Sequence, residues 1–277
     1  MIKLESLAIY PVKSIKGIPL HSSRVNLSGL AYDRRYLLCD ENGKMITART
    51  HPTLTLVHPV VHDNGSITLT HPKMDSELEL RTASFEKTYM STEIWKTQVK
   101  GQKTTEHADQ WFSQLLSLQV HLLFFGDESK RVTSRRPNSP VGFADGYPFL
   151  LTNTASLEEL NRTTEITVDM RRFRPNIVVS GITPFEEDSW KIIRIGDVQF
   201  ENVKPCIRCS FTTIDPDTSD KNSFAEPLRT LAKFRKLEKK GVTFGVNLIA
   251  LNEGIIKQGD QIEVIEYKTP EVYTDKR

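Results

Sequence analysis

Cysteine is scarce in this chain, with three among 277 residues. An odd count without a secretory leader argues against a disulfide framework and for a reducing compartment. The opening segment, MIKLESLAIYPVKS, carries Glu5 inside a short apolar stretch and has no small-residue cleavage site, so it does not read as a signal peptide. No apolar run approaches the roughly 20 residues that span a bilayer. The expected compartment is therefore cytoplasmic. A net charge of +2 gives no field that would argue for a nucleic acid or an acidic membrane surface. No low-complexity linker divides the chain. No histidine follows His121, which leaves few ways to complete a zinc site around any cysteine beyond it.

What is present reads as mainly β with a few helices, an α+β chain of two subdomains packed together. Residues 2–10 form a strand candidate. Residues 35–39 and 45–48 flank Asn42-Gly43, the strongest short hairpin signal. Residues 54–62 and 66–70 flank a second Asn-Gly, and 77–81 is a further short strand. Short strands at this spacing suggest a barrel or sandwich. The period then changes: Ala108, Trp111, Phe112, Leu115 and Leu116 fall on one face of a helix over 104–118. A strand over 120–125 follows. A second helix over 154–162 has Ser156 and Glu159 spaced as a capping box. Strands are expected at 177–180, 192–195, 198–203, 247–251 and 261–265. A third helix is expected over 227–240, opened by Pro227 and stopped by Gly241. The divisions expected are an N-terminal β region over 1–100, a second domain over 101–267 and a loose charged tail over 268–277.

The stretch KPCIRCSFTTIDPDT, from Lys204 to Thr218, gathers two of the three cysteines. A zinc site needs about four ligands, and Cys39 is the remaining cysteine. A thioredoxin-like pair needs a helix start beneath its first sulfur, whereas SFTTI reads as strand. Two partly buried structural cysteines are the plain alternative. Lys204 and Arg208 favour chemistry, because neighbouring cations stabilise a thiolate. A thiolate is a soft ligand, yet one thiolate alone holds a metal poorly, so a metal would arrive inside an organic chelate.

Basic residues recur where strands end. PVKSIKG supplies Lys13, Ser14 and Lys16, YDRRY supplies Arg34 and Arg35, TARTHP supplies Arg49, and RRFRPN supplies Arg174 and Asn176. Each alone is most simply a solvated charge. Together they are also what a phosphate-bearing ligand requires, since guanidinium binds phosphate in bidentate fashion. In GFADGYPFLL, Asp145 sits in a tight Gly turn, either as an Asx-type turn residue or as a general acid.

Five stretches, YPVKSIKG, AYDRRYLL, FADGYPFLL, FRPNIVVSG and KPCIRCSFTTIDPDT, occur in order, with EPLRTLAKFR, FGVNLIALNEG and IKQGDQIEV behind them. Over residues 2–266 the chain resembles the MOSC proteins that carry an N-terminal β-barrel region. The branch is that of the mitochondrial amidoxime-reducing component and the bacterial reductases of N-hydroxylated bases. The resemblance implies a MOSC β-barrel packed against an N-terminal β-barrel-like subdomain, and a molybdenum cofactor whose pterin dithiolene bears a phosphate.

It further implies Cys209 as the metal ligand and Lys13, Ser14, Arg34, Arg174 and Asn176 as the cofactor cradle. Cys206 and Arg208 would touch the cofactor from the ligand's own loop, and Asp145 would lie near the metal as a catalytic residue. The implied activity is reduction of N-hydroxylated compounds, among them hydroxylaminopurines and amidoximes. Many bacterial relatives add a plant-type ferredoxin domain with four cluster cysteines, which these 277 residues do not contain. Electrons would then come from a separate flavoprotein, ferredoxin or cytochrome-type donor. The alternative is a carrier of sulfur or of the cofactor, using Cys209 as a persulfide or transfer site.

Overall fold

The computed structural model describes residues 1–238 and 240–277. Among the described residues the chain is mainly β, with three α-helices. No helix among them is long and apolar enough to cross a membrane.

The largest sheet has nine strands, and it draws on both ends of the chain. Its path runs Ile18–Leu20, Lys3–Ile9, Ile177–Ser180, Phe149–Asn153, Gly241–Ala250, Val198–Ile207, Trp190–Ile195 and Ile262–Tyr267, with Lys236–Leu237 beside Gly241–Ala250. The first strand therefore pairs antiparallel with Ile177–Ser180, about 170 residues away in sequence. Phe149–Asn153 and Ile177–Ser180 run parallel, joined through the helix Thr154–Thr163, as a crossover connection requires. Leu4, Leu7 and Ile9 point into one apolar core with Phe149, Trp190, Phe200 and Leu248.

A second sheet has five strands, Tyr89–Ile94, Thr97–Lys103, His121–Phe124, Tyr36–Cys39 and Met45–Ile46, and two three-stranded sheets accompany it. The Asn42-Gly43 hairpin forms as expected, pairing Leu38 with Ile46 and Cys39 with Met45. Gly43 has φ +76° and lies against the Ser91 carbonyl, where a side chain has no room. The helix Glu106–Leu116 is capped by Thr105, whose side chain accepts from the Ala108 N–H, and it buries Ala108, Trp111 and Phe112.

Several local expectations are corrected. The helix Thr154–Thr163 is capped by Asn153, which accepts from the Ala155 N–H. Ser156 is buried inside the helix and donates to Glu187 at 3.1 Å, while Glu159 pairs with Arg162 and Arg277. The third helix is only Leu228–Phe234, followed by the short strand Lys236–Leu237. Arg235 ends it by turning inward to a buried ion pair with Asp188 at 2.6 Å. Gly241 opens the next strand instead of stopping the helix; Lys239, within the expected helix, lies outside the described residues. Residues 52–56 form a 3₁₀ turn where a strand was expected to begin. So do residues 210–213 of SFTTI. The terminal residues 268–277 have no regular structure but lie against the body instead of hanging loose. The Tyr273 hydroxyl bonds to Thr243, and the Arg277 guanidinium sits 3.9 Å from the Phe234 ring centre.

Glu187 is fully buried between Asn153, Ser156 and Asp188, and burial with the neighbouring Asp188 charge raises its carboxyl to about 7. A carboxyl raised above its unfolded value near 4.5 binds an extra proton in the folded state, so stability falls as pH rises from about 4.5 through about 7. Glu187→Gln is expected to be close to neutral at pH 5 and to gain up to roughly 3 kcal/mol on wild type at pH 8. Urea unfolding at both pH values checks this; an equal effect at the two would contradict it.

Candidate functional site

The site is assembled from chain segments that meet only after folding. Lys13 follows the first strand, and its N–H donates to the Tyr36 carbonyl. Its side chain is buried, donating to the Phe143 carbonyl at 3.0 Å and to Asp145 Oδ1 at 2.5 Å. Ser14, beside it, has φ +76°. Asp145 also accepts from the Trp95 indole N–H at 3.0 Å. Its surroundings disfavour charge, yet Lys13 above all, with Trp95 and Arg34, holds its carboxyl well below the usual carboxylate range. Asp145 is thus an ionised acceptor, which corrects its reading as a general acid. Burial pushes the Lys13 ammonium downward, against the pull of Asp145. Arg131 secures this loop by donating to the carbonyls of Gly142, Ala144 and Asp145.

Arg34 and Arg174 meet over one tyrosine. Their guanidinium carbons lie 4.4 and 4.1 Å from the Tyr10 ring centre. Both residues have positive φ, +45° and +56°. Arg34 donates to both oxygens of buried Asp33 at 2.9 and 2.7 Å, to Asn176 Oδ1 at 3.0 Å and to the Arg174 carbonyl at 3.1 Å. Asn176 in turn donates to the Ala8 carbonyl and accepts from the Leu150 N–H. Arg174 donates only to the Ile15 carbonyl and has no carboxylate partner among the described residues. Burial, and then the Arg34 charge beside it, push its guanidinium down to about 10. Arg35 turns away to the Phe125 carbonyl and the Phe124 ring, so one arginine of the YDRRY pair serves the site.

Cys206 lies near the end of the strand Val198–Ile207, and Cys209 follows in extended backbone before the 210–213 turn. Arg208 donates to Cys206 Sγ at 2.9 Å and to the Phe173 carbonyl at 2.7 Å. Its Nε is buried without a partner. The cation therefore attends Cys206 and leaves Cys209 without it. Cys39 is buried in a separate apolar cluster with Leu37 and Leu123, and burial pushes its thiol up to about 12. It does not line the site, which removes it as a third metal ligand. No group of three or more His, Cys, Asp and Glu among the described residues is arranged to hold a metal ion.

The nine residues that the resemblance assigned to the site line one open cavity of about 440 Å³, whereas Lys16 and Arg35 do not line it. Six cations, Lys13, Arg34, Arg49, Arg174, Lys204 and Arg208, face it against one carboxylate, Asp145. Such an excess selects an anionic ligand. Trp95 and Arg131 are the residues that sequence reasoning missed. Trp95 stands at the tip of an unforeseen hairpin, whose strands Tyr89–Ile94 and Thr97–Lys103 pair up to Ile94 and Thr97. Alternation at Thr92, Ile94, Val99 and Gly101, all buried, is the signal that marks these strands. Nothing local in the sequence marks Arg131.

A two-part β protein with a thiol and a cluster of arginines in one small-molecule cavity defines a narrow class. The MOSC N-terminal beta barrel domain matches residues 1–119, and the MOSC domain matches residues 138–263. The chain is 35% identical over 279 residues to mitochondrial amidoxime-reducing component 1 of Mus musculus, covering 94% of this chain and 81% of that protein. It is 34% identical to mitochondrial amidoxime reducing component 2 of Homo sapiens, covering 92% and 81%. Molybdenum cofactor sulfurase of Oryza sativa subsp. japonica is 29% identical, over 94% of this chain and 33% of that longer protein. The chain belongs to the MOSC family, with the N-terminal β-barrel domain and similarity over 94% of its length to a mitochondrial amidoxime-reducing component.

Proposed function

We propose that this protein is a molybdenum cofactor-dependent reductase of N-hydroxylated compounds, amidoximes and hydroxylaminopurines among them, served by a separate electron-donor protein. The observation that carries the reading is the meeting of Cys209 with Arg174, Arg34 and Lys13 in one cavity. The donor set fits a phosphate-bearing dithiolene chelate. Arg174 is a half-buried cation without a carboxylate partner among the described residues, Arg208 Nε is an orphaned buried donor, and the cavity volume lies within the range of about 300–1,000 Å³ for small-molecule sites.

When bound, the cofactor supplies two-electron redox chemistry; the overall reaction is R–NHOH plus two electrons and two protons giving R–NH₂ and water. The protein's own groups divide the remaining work. Cys209 would donate one thiolate to the metal. Arg174, Lys13 and Ser14 would hold the anionic part of the cofactor from the cavity wall. Arg34, committed to Asp33 and Asn176, holds the Arg174 carbonyl and so fixes that loop. Arg208 keeps Cys206 hydrogen-bonded, which leaves Cys209 as the free soft donor. Asp145, ionised and tied to Lys13, orients a donor hydrogen of the substrate; the protons consumed enter from solvent.

Arg174→Met is expected to lower retained molybdenum per chain about tenfold after gel filtration, the value of one charge-assisted contact. Its unfolding midpoint should stay near wild type, since no buried carboxylate loses its partner. Unchanged metal content would contradict the assignment. Carriage of sulfur or of the cofactor at Cys209 is the second reading, favoured by the similarity to the rice sulfurase. Stoichiometric thiocyanate release by cyanide from the purified protein would select it.

A further inference from the structure

The hairpin joining Tyr89–Ile94 to Thr97–Lys103 turns on two residues, Trp95 and Lys96, with φ +49° and +71°. Two-residue turns of this kind favour Asn-Gly, because both positions are left-handed. A bulky residue with positive φ is an outlier, and such outliers cluster where a side chain has a task. Here the tip places Trp95 in the wall of the cavity. Its indole N–H is tied to Asp145 at 3.0 Å, and the Arg49 guanidinium lies 4.6 Å from its ring centre. The ring is thus held in one orientation while the residue stays 51% exposed. Trp111 and Trp190, the other tryptophans, are buried in the two cores.

We propose that Trp95 is the specificity-determining wall of the site, a flat surface on which the planar group of an aromatic or heteroaromatic N-hydroxylated substrate stacks. Its tether to Asp145 sets the stacking plane relative to the carboxylate that orients the substrate's N-hydroxylated end. The inference rests on the reductase reading and deepens it by naming the substrate class. Aromatic pairs prefer offset or edge-to-face contact, which an aliphatic ring of the same bulk cannot reproduce.

Benzamidoxime and cyclohexanecarboxamidoxime share one head group and differ in planarity, so they isolate the effect. Calorimetric titration of the full-length protein should show benzamidoxime binding about three- to tenfold tighter than its puckered counterpart. Trp95 emission should change saturably with benzamidoxime. Trp95→Leu should bring the two affinities together, mainly by weakening the flat ligand, and abolish the emission change. Trp95→Phe should keep the preference. Equal weakening of both ligands in Trp95→Leu, an unchanged preference, or no binding of either ligand to wild type overturns the proposal. So does a variant altered only in its response to the electron donor, which would place Trp95 in a docking surface. The measurement needs no turnover. A Trp95-dependent preference in a protein that reduces neither compound would sink the reductase reading alone, and an active reductase indifferent to Trp95 would sink this inference alone.

Discussion

Cys209→Ala is expected to fold like wild type and to lose reduction of N-hydroxylated compounds, by a factor of at least about 10³, since a metal ligand is removed outright. Folding should survive because Cys209 is only partly buried and its sulfur makes no hydrogen bond among the described residues; its backbone carbonyl, which accepts from Thr212, is retained. Cys206→Ala is the informative companion. Its sulfur accepts from Arg208, so its loss leaves that guanidinium one partner short and should cost far less activity, on the order of tenfold or below. Equal loss in the two variants would mean that the cysteines act as a pair, and the single-ligand account would fail. Circular dichroism and an unfolding midpoint for each variant separate chemistry from stability.

The largest effect on stability is expected at Arg235, which does not line the cavity. Its guanidinium and the carboxylate of Asp188 are each about 5% exposed and bond at 2.6 Å. Phe185 and Tyr273 flank the guanidinium at 4.2 and 3.8 Å from their ring centres. Arg235→Ala leaves Asp188 buried and unpaired next to Glu187, at a cost of about 3–5 kcal/mol. For a chain of this size that lowers the midpoint by roughly 5–9 °C. Asp188→Asn added to Arg235→Met should recover most of the loss, because a buried pair replaced whole is nearly neutral. The folded fraction should retain its metal, in contrast to Arg174→Met. A midpoint within about 1 °C of wild type for Arg235→Ala would show that water reaches the pair.

The contrast between these arginines shows where the sequence could be read and where it could not. The Asn42-Gly43 hairpin was legible because its glycine takes the left-handed conformation that the turn demands, Gly43 having φ +76°. The hairpin ending in Trp95-Lys96 carries no such signal, since its tip residues violate the rule, and only the period-two burial of its strands marks it. The helix expected to run to 240 stops at Phe234. Helical propensity continues past that point, but the Arg235–Asp188 pair draws the chain inward, a tertiary effect that no local window contains.

The same limit applies to the cavity. Lys13, Arg34, Arg174 and Cys209 were each visible as residues with suitable chemistry, and the order of their motifs carried the family resemblance. That Arg34 spends its donors on Asp33 while Arg174 lacks a carboxylate is a property of the fold. So is the Lys13–Asp145 pair, which fixes the carboxylate in its charged form. Arg131, which knots three carbonyls of the Asp145 loop, looks in the sequence like any surface cation.

Elemental analysis for molybdenum, on protein purified from a host that makes the cofactor and with Cys209→Ala and Arg174→Met beside it, tests the central claim most directly. The expected result is close to one metal atom per wild-type chain, a deficit of about tenfold in Arg174→Met and one at least as large in Cys209→Ala. Metal-free wild-type protein from such a host, or equal metal in all three proteins, would contradict it.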